Sequence, residues 1–291
     1  MQPTMSAAFK AQTSKQAPVV KADLTGKTVC VLGANTGIGF QSTKHFAAMN
    51  PTKIILACRS ETRGREAVQR LRDETGYTKG ELQILDLADF ASTKQFADRL
   101  EQEGGRLDIL IANAASEPRK FITTKDGWES TLHINHLGTS LTVLRLLPTL
   151  LRTAKDNGTL SRIVVVSSDL HYNVTIAPEV RTRPGSILQT LSSAEFLQPL
   201  RRIQEQYAVT KLLNVFFARA LNAHLGPSAP IIVDAVNPGY CVSELRRNVS
   251  GFTNIMLKLL DATVALTAEE GSRRLVWAAL GMPSKEDALR G

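Results

Sequence analysis

A strand, a glycine turn and a helix follow one another without slack between Lys27 and Ala47. Lys27-Thr28-Val29-Cys30-Val31-Leu32 is a short apolar, β-branched run after Thr25-Gly26, and it predicts a buried strand. The turn Gly33-Ala34-Asn35-Thr36-Gly37-Ile38-Gly39 comes next, and the residues through Phe46-Ala47 carry apolar side chains at helical spacing. Glycines there let the backbone turn tightly and approach a pyrophosphate, while the helix N-terminus offers unpaired N–H groups and a partial positive charge. Gly33, Asn35, Thr36, Gly37, Ile38 and Gly39 are therefore candidate phosphate-side residues. A ligand-free glycine turn explains the same residues taken alone. The spacing also departs from the common dinucleotide fingerprint, which has one residue between its first two glycines. Here there are three.

The chain of 291 residues is 43% hydrophobic and 21% charged, enough for one large globular core. A net charge of +8 raises the question of nucleic acid, but Arg201-Arg202, Arg246-Arg247 and Arg273-Arg274 are isolated pairs and aromatics reach only 5%. A solvated basic surface with one patch for an anionic cofactor is the better reading, and no nucleic-acid partner is expected. Cys30, Cys58 and Cys241 lie far apart without metal spacing, as small buried hydrophobes of a reducing compartment do. Residues 1–22 are polar and lack a signal peptide's apolar stretch, so a flexible extension is expected ahead of one domain over 23–291. No run is long enough to span a membrane, and the expected location is cytoplasmic.

Strand and helix signals then alternate. Lys53–Cys58 reads as a second strand, ending at Arg59, 20 residues beyond Gly39. An NAD-preferring site would hold an acid there; an arginine fork instead matches a 2′-phosphate, with Arg63 and Arg65 nearby. The competing reading is a solvated arginine at a helix cap. A helix over 61–74, a strand over 80–87, a helix over 90–102 and a strand over 107–112 follow. Asp86 and Leu87 close the third strand; Asp86 can accept from an adenine amine or cap the next helix, for which Asp89 is better placed. Asn113-Ala114-Ala115 follow the fourth strand. Such alternation predicts an α/β, doubly wound parallel sheet of Rossmann type, binding ligand at its carboxyl edge.

A long helical pattern covers 126–152, with Gly138 as a break just after Asn135 and His136. Strand 162–166 delivers Ser167 and Ser168. Residues 169–206 hold Pro178, Pro184 and Pro199 and are too long for an ordinary connection, so a substrate-side insertion is expected. A helix over 205–225 places Tyr207, Lys211, Asn214 and Ala218 on one stripe. Strand 231–236 ends at Asn237-Pro238-Gly239, and helices over 251–262 and 267–280 follow. Tyrosine, with a pKa of about 10, is a poor general acid at neutral pH unless an ammonium favours its phenolate. Lys211 lies one turn from Tyr207. A half-exposed surface pair would show the same spacing.

From about Thr25 to Ser243 the chain resembles the short-chain dehydrogenases/reductases. Gly33-x-x-x-Gly37-x-Gly39 is similar to their glycine turn, Asp86 to their adenine-binding acid and Asn113-Ala114 to their Asn-Asn-Ala-Gly motif. Asn135, Ser168 and Tyr207-x-x-x-Lys211 match the family's catalytic set, and Pro238-Gly239 with Cys241 and Ser243 its nicotinamide-side loop. Asn135-His136-Leu137-Gly138 and Ala57-Cys58-Arg59 resemble the retinol-dehydrogenase-like, NADP-using members, which include ketoreductases common in fungal secondary metabolism.

The resemblance implies NADP(H) as cofactor and hydride exchange with a ketone or aldehyde carbon, or the reverse. Tyr207 would donate the proton, Ser168 would polarise the oxygen, Lys211 would bind the ribose and tune Tyr207, and Asn135 would hold a relay water. The implied substrate is a bulky, fairly apolar small molecule of polyketide, terpenoid or retinoid kind. His171, Tyr172, Tyr240 and Phe252 are candidate pocket walls, and 240–265 is a substrate-side lid. Monomer and homodimer both remain open, since extra residues before the tyrosine obstruct the usual helix-pair dimer in relatives. A non-redox step on this fold, or a cofactor-binding sensor without chemistry, are the alternatives.

Four departures stand out. Ala112 and Ala115 replace the outer Asn and Gly of the asparagine motif, and Cys241 sits where valine is usual. Tyr207 follows Ser168 by 39 residues, longer than in the plainest members. The chain ends at Gly291, where a seventh strand would begin, so that strand is expected to be missing.

Overall fold

The computed structural model describes residues 4–102, 105–118, 120–182, 185–242 and 264–281. Within them, β1 (Thr28–Leu32), β2 (Lys53–Cys58), β3 (Gly80–Ile84), β4 (Ile109–Ala112), β5 (Ser161–Val166) and β6 (Ile231–Val236) form one sheet. The order is β3-β2-β1-β4-β5-β6 and every pairing is parallel. The order reverses between β1 and β4, which makes a crevice at their carboxyl ends. β1, β4 and β5 are buried along their whole length, as strands covered on both faces must be.

Helices α2 (Gly37–Ala47) and α3 (Glu61–Thr75) cover one face of the sheet, together with a final helix, α10 (Ala268–Leu280). Phe40, Phe46, Leu71, Leu275 and Val276 fill that layer against Val29, Val31, Ile54 and Leu56. Between α3 and α10 in the chain come α4 (Phe90–Gln102), α5 (Ser130–Leu132) and α6 (Thr139–Asn157). The insertion then holds two 3-10 turns, Asp169–Asn173 and Pro178–Arg181, with α7 (Ile187–Ser192) and α8 (Ala194–Leu197), before α9 (Leu200–Leu225). Phe96, Leu100, Val143, Leu146, Leu150, Ala218 and Leu221 of α4, α6 and α9 pack on Cys30, Leu32, Ile163 and Val165. The insertion builds a third cluster of its own, with Val180, Leu191, Phe196 and Leu197 against Leu132 and Leu213.

Local boundaries follow from partners. β3 stops at Ile84, three residues short of the expected end, because β2 ends at Cys58; Leu85 takes one last bond to the Cys58 carbonyl at 3.1 Å. Asp86 then turns away, its amide on Ser92 Oγ at 3.0 Å. β4 starts at Ile109; just before it, the Asp108 backbone bonds the Thr28 carbonyl at 3.0 Å and the Arg162 amide at 2.9 Å, and its side chain accepts from the Thr28 amide at 2.8 Å. Pro199 caps α9, so that helix begins five residues before the expected Glu205.

The segment before Asp23 was expected to be loose. It instead holds α1 (Met5–Thr13), tied through Gln12 to Tyr240 and Val264 and through Arg274 to Ala11 and Gln16. Apolar periodicity does not announce it, since its anchor is an amide side chain. Residues 282–291, where a seventh strand was expected to be missing, lie outside the described residues, as do the 251–262 helix, Ser243, Phe252 and most of the expected 240–265 lid. Among the described residues, no helix is long and apolar enough to cross a membrane.

Candidate active site

The glycine turn closes β1 and opens α2 at the β1/β4 crevice. Gly33 and Gly37 take φ of +74° and +56°, the left-handed region that glycine adopts freely. Gly39 is required for another reason: a Cβ there would lie 2.3 Å from the Gly33 carbonyl oxygen and 2.5 Å from Asn113 Nδ2. A Cβ on Gly33 would meet Ala114 Cα at 2.9 Å. The turn thus rests on Asn113-Ala114, and Asn113 Nδ2 donates to the Leu32 carbonyl at 3.2 Å. At the N-terminus of α2 the Thr36 side chain makes no capping hydrogen bond to the first turn. Gly33 and Asn35 through Ile38 are partly exposed. A cradle with no room for side chains, at a helix N-terminus whose first residues are partly exposed, fits a dinucleotide pyrophosphate.

The other cofactor candidates lie along the same carboxyl edge. Arg59 is exposed directly after β2. Asp86 is half-buried and its Oδ1 accepts from the Ala88 amide at 2.9 Å, which makes a local turn; Asp89 receives the amide of Ala91 at the start of α4, as expected of the helix cap. The buried Leu87 offers its carbonyl to the close approach of Gly138, where a Cβ would sit 2.3 Å from that oxygen. Ala115 follows the Asn113-Ala114 brace and is partly exposed. Beyond β6, the Gly239 amide bonds Asn237 Oδ1 at 3.0 Å, and Gly239 has φ +86°. Cys241 is half-buried beside Gly271 of α10, and burial pushes its thiol up to about 12.

The catalytic candidates come from three elements. Ser168 lies two residues beyond β5; its Oγ accepts from the Leu170 amide and donates to Asp169 Oδ1, at 3.3 Å each. Lys211 is fully buried on α9, and its Nζ donates to the Val166 carbonyl at 2.7 Å. Burial lowers its pKa to about 8. The ammonium lies 5.4 Å from the centroid of the Tyr207 ring, one helical turn away. Ser167, beside Ser168, donates to the Lys211 carbonyl at 2.9 Å and fixes α9 on the end of β5.

Asn135 sits inside a π-helical segment, His133–Gly138, that links α5 to α6. A π segment inside a helix places an extra residue per turn and is frequent at functional sites. The Asn135 side chain accepts from the Ser116 amide at 2.7 Å and donates to the Ser116 carbonyl at 3.0 Å and to Thr210 Oγ1 at 3.2 Å. Its backbone carbonyl accepts from Asn214 Nδ2 at 3.0 Å, and Asn214 Oδ1 lies 3.0 Å from His136 Nδ1. Burial lowers the His136 pKa, against the pull of its hydrogen bond to Asn214. Asn135 therefore organises the loop after β4 and the α9 stripe. Ser116 and Thr210 carry no motif in the sequence, and only the fold reveals them.

Glu129 is a further buried group that spacing did not single out. It accepts from the amides of Thr131 at 2.7 Å and Leu132 at 2.9 Å and from Gln206 Nε2 at 3.0 Å. Gln206 also holds the Leu191 carbonyl, so one network joins the insertion to the residue before Tyr207. Of the expected pocket walls, the His171 and Tyr172 rings lie 3.9 Å apart at a 37° tilt and Tyr172 is 40% exposed; Leu170, which the sequence did not single out, is exposed to the same degree.

The family model for short chain dehydrogenase matches residues 27–176, half of the chain. "Short-chain dehydrogenase anuD" of Penicillium roqueforti is 37% identical over 268 residues, covering 90% of this chain and 68% of that protein. "Short chain dehydrogenase/reductase dmxR8" of Cryptosporiopsis sp. is 32% identical, with 92% and 81% covered. The "WW domain-containing oxidoreductase" of Gallus gallus is 34% identical over 88% of this chain, which spans 59% of that longer protein. Among solved structures, a short-chain dehydrogenase from Sphingobium yanoikuyae in complex with NADPH superposes with a TM-score of 0.61 at 24% identity, covering 90% of this chain and 92% of that one, a likeness of fold. Sheet order, glycine cradle and matched sequence agree: the chain belongs to the short-chain dehydrogenase/reductase family of oxidoreductases.

Proposed function

We propose that the protein is an NADPH-dependent reductase that converts a ketone or aldehyde of a bulky, fairly apolar small molecule to the alcohol. The observation that carries this reading is the buried Lys211 ammonium beside the Tyr207 ring. A cation in a low-dielectric site favours the phenolate and makes a tyrosine a usable proton donor near neutral pH. Gly33, Asn35, Thr36, Gly37, Ile38 and Gly39 would hold the pyrophosphate, Arg59 the 2′-phosphate, and Asp86, Leu87, Asn113, Ala114 and Ala115 the adenosine side. Pro238, Gly239, Cys241 and Ser243 would line the nicotinamide side, with Tyr207 and Lys211 at the ribose. Bound NADPH supplies hydride.

This chain's residues do the rest. Ser168 orients the substrate oxygen, Tyr207 delivers its proton to that oxygen, and Lys211 holds the charge that eases the transfer. Asn135 fixes the π segment and Ser116 beside them. The apolar side chains of Leu170 and Tyr172 next to Ser168 support a bulky apolar substrate of polyketide, terpenoid or retinoid kind. The test is NADPH oxidation across a panel of such ketones and aldehydes, with Tyr207→Phe alongside. Expected is turnover of some panel members and a loss of at least about 1,000-fold in the variant, with NADPH still bound. No carbonyl-dependent NADPH consumption, or a fully active variant, would sink the reading.

A further inference from the structure

Helix α1 reaches the far end of the molecule through one side chain. Gln12 Nε2 donates to the Tyr240 carbonyl at 2.8 Å and to the Val264 carbonyl at 2.7 Å, and Gln12 Oε1 accepts from the Tyr240 amide at 3.0 Å. All three bonds cross more than 220 residues of sequence. Tyr240 directly follows Gly239, and its carbonyl also accepts from the Leu266 amide at 2.8 Å. A short parallel bridge, Cys241 with Leu266, lies between them. Gln12 extends this bridge by one rung, with its amide acting as a peptide group on the loop's outer edge.

Two arginines of α10 hold the donor in place. Arg274 donates to Gln16 Oε1 at 2.8 Å and to the Ala11 carbonyl at 3.1 Å, and Arg273 donates to the Ala17 carbonyl at 3.3 Å. A Cβ on Gly239 would meet Arg274 Nη1 at 2.8 Å and Gln12 Oε1 at 3.0 Å, so the N-terminal segment lies directly against the Pro238-Gly239 turn. That turn ends β6 at the carboxyl edge, where the glycine cradle also opens.

We infer that Gln12 is a positioning residue for nucleotide binding: it fixes the Gly239-Tyr240 peptide and is itself a built part of the nicotinamide-side wall. The inference rests on the cofactor reading above. A loop already held in one conformation spares the ligand the cost of ordering it. Losing the amide should therefore weaken binding and leave the chemical step alone, because Gln12 touches neither Tyr207 nor Lys211.

The test compares wild type with Gln12→Leu and Gln12→Ala, and with Lys15→Ala as an exposed control on the same segment. NADPH and NADH affinities are measured by fluorescence titration, together with Tm with and without nucleotide and kcat at saturating NADPH. Expected is a rise of about tenfold in NADPH Kd in both Gln12 variants, from the loss of two to three hydrogen bonds. The nucleotide-induced Tm shift should shrink, kcat should stay within about twofold, and Lys15→Ala should match wild type. If both variants keep the wild-type Kd, with or without a lower Tm of the free protein, Gln12 is at most structural and the inference falls alone. A wild-type protein that binds neither nucleotide overturns the cofactor reading and this inference together.

Discussion

Lys211 donates to the Val166 carbonyl at 2.7 Å, so the last residue of β5 holds the ammonium beneath Tyr207. Burial brings its pKa from 10.5 down to about 8. The unfolded chain therefore keeps this proton between pH 8 and 10.5 while the folded chain loses it. Stability from this group should rise with pH through that window, by about 3 kcal/mol at most. Urea unfolding of wild type and Lys211→Met across pH 7–10.5 checks it. The wild-type curve should gain on the variant's as pH rises; parallel curves would refute the shift.

Asp234 on β6 gives the opposite slope. Its Oδ1 is buried with no hydrogen-bond partner among the described residues. Burial raises its pKa to about 8, against the pull of Arg162. The folded state then holds a proton that the unfolded state releases above pH 4, so stability should fall from about pH 4 to 8. Asp234→Asn should flatten that fall and be the more stable protein at pH 8, by about 1–3 kcal/mol. Thermal melts of the pair at pH 5 and pH 8 distinguish the outcomes.

Arg59 stands exposed at the end of β2, free of the sheet's packing. Arg59→Asp should weaken NADPH binding by about 100-fold, because a bidentate phosphate contact becomes a like-charge repulsion, and should improve NADH binding. Nucleotide titrations of both proteins report the ratio. An unchanged preference removes Arg59 from the cofactor site.

Gly39→Ala places a methyl group 2.3 Å from the Gly33 carbonyl oxygen. Backbone must move, at a cost of about 1–3 kcal/mol, and the cradle opens. The expected result is a lower Tm with nucleotide affinity lost beyond what the Tm change explains. Gly76→Ala, at a helix end where a Cβ meets nothing within 4 Å, is the comparison: it strains a φ of +73° but should leave affinity intact.

The sheet was legible because its strands are apolar runs bounded by glycine or polar residues; Lys53–Cys58 and Ile231–Val236 match their expected bounds. The glycine turn and the Tyr207–Lys211 pair were legible for a related reason, since each depends on neighbours within seven residues. What spacing could not reveal were contacts across the chain. Ser116 and Thr210 around Asn135, and Glu129 with Gln206, meet only after β4, α5 and α9 are assembled. Gln12 escaped for the same cause. Its helix is held by hydrogen bonds to residues 240 and 264, and amide anchors leave no hydrophobic period to read.

Gly138 was expected to break the helix, and the π segment His133–Gly138 ends on it. Each residue of an α-helix advances about 100° around the axis, so one surplus residue acts as a phase shifter. Leu132 on the near side faces the insertion's cluster, while Val143, Leu146 and Leu150 on the far side face the sheet. A single helix thereby serves two cores that an unbroken one would present at the wrong angle. Deleting any one residue of 133–138 would rotate a 19-residue helix by about a quarter turn relative to the insertion. The insertion's core and the sheet's core are kept in angular register by one extra amino acid.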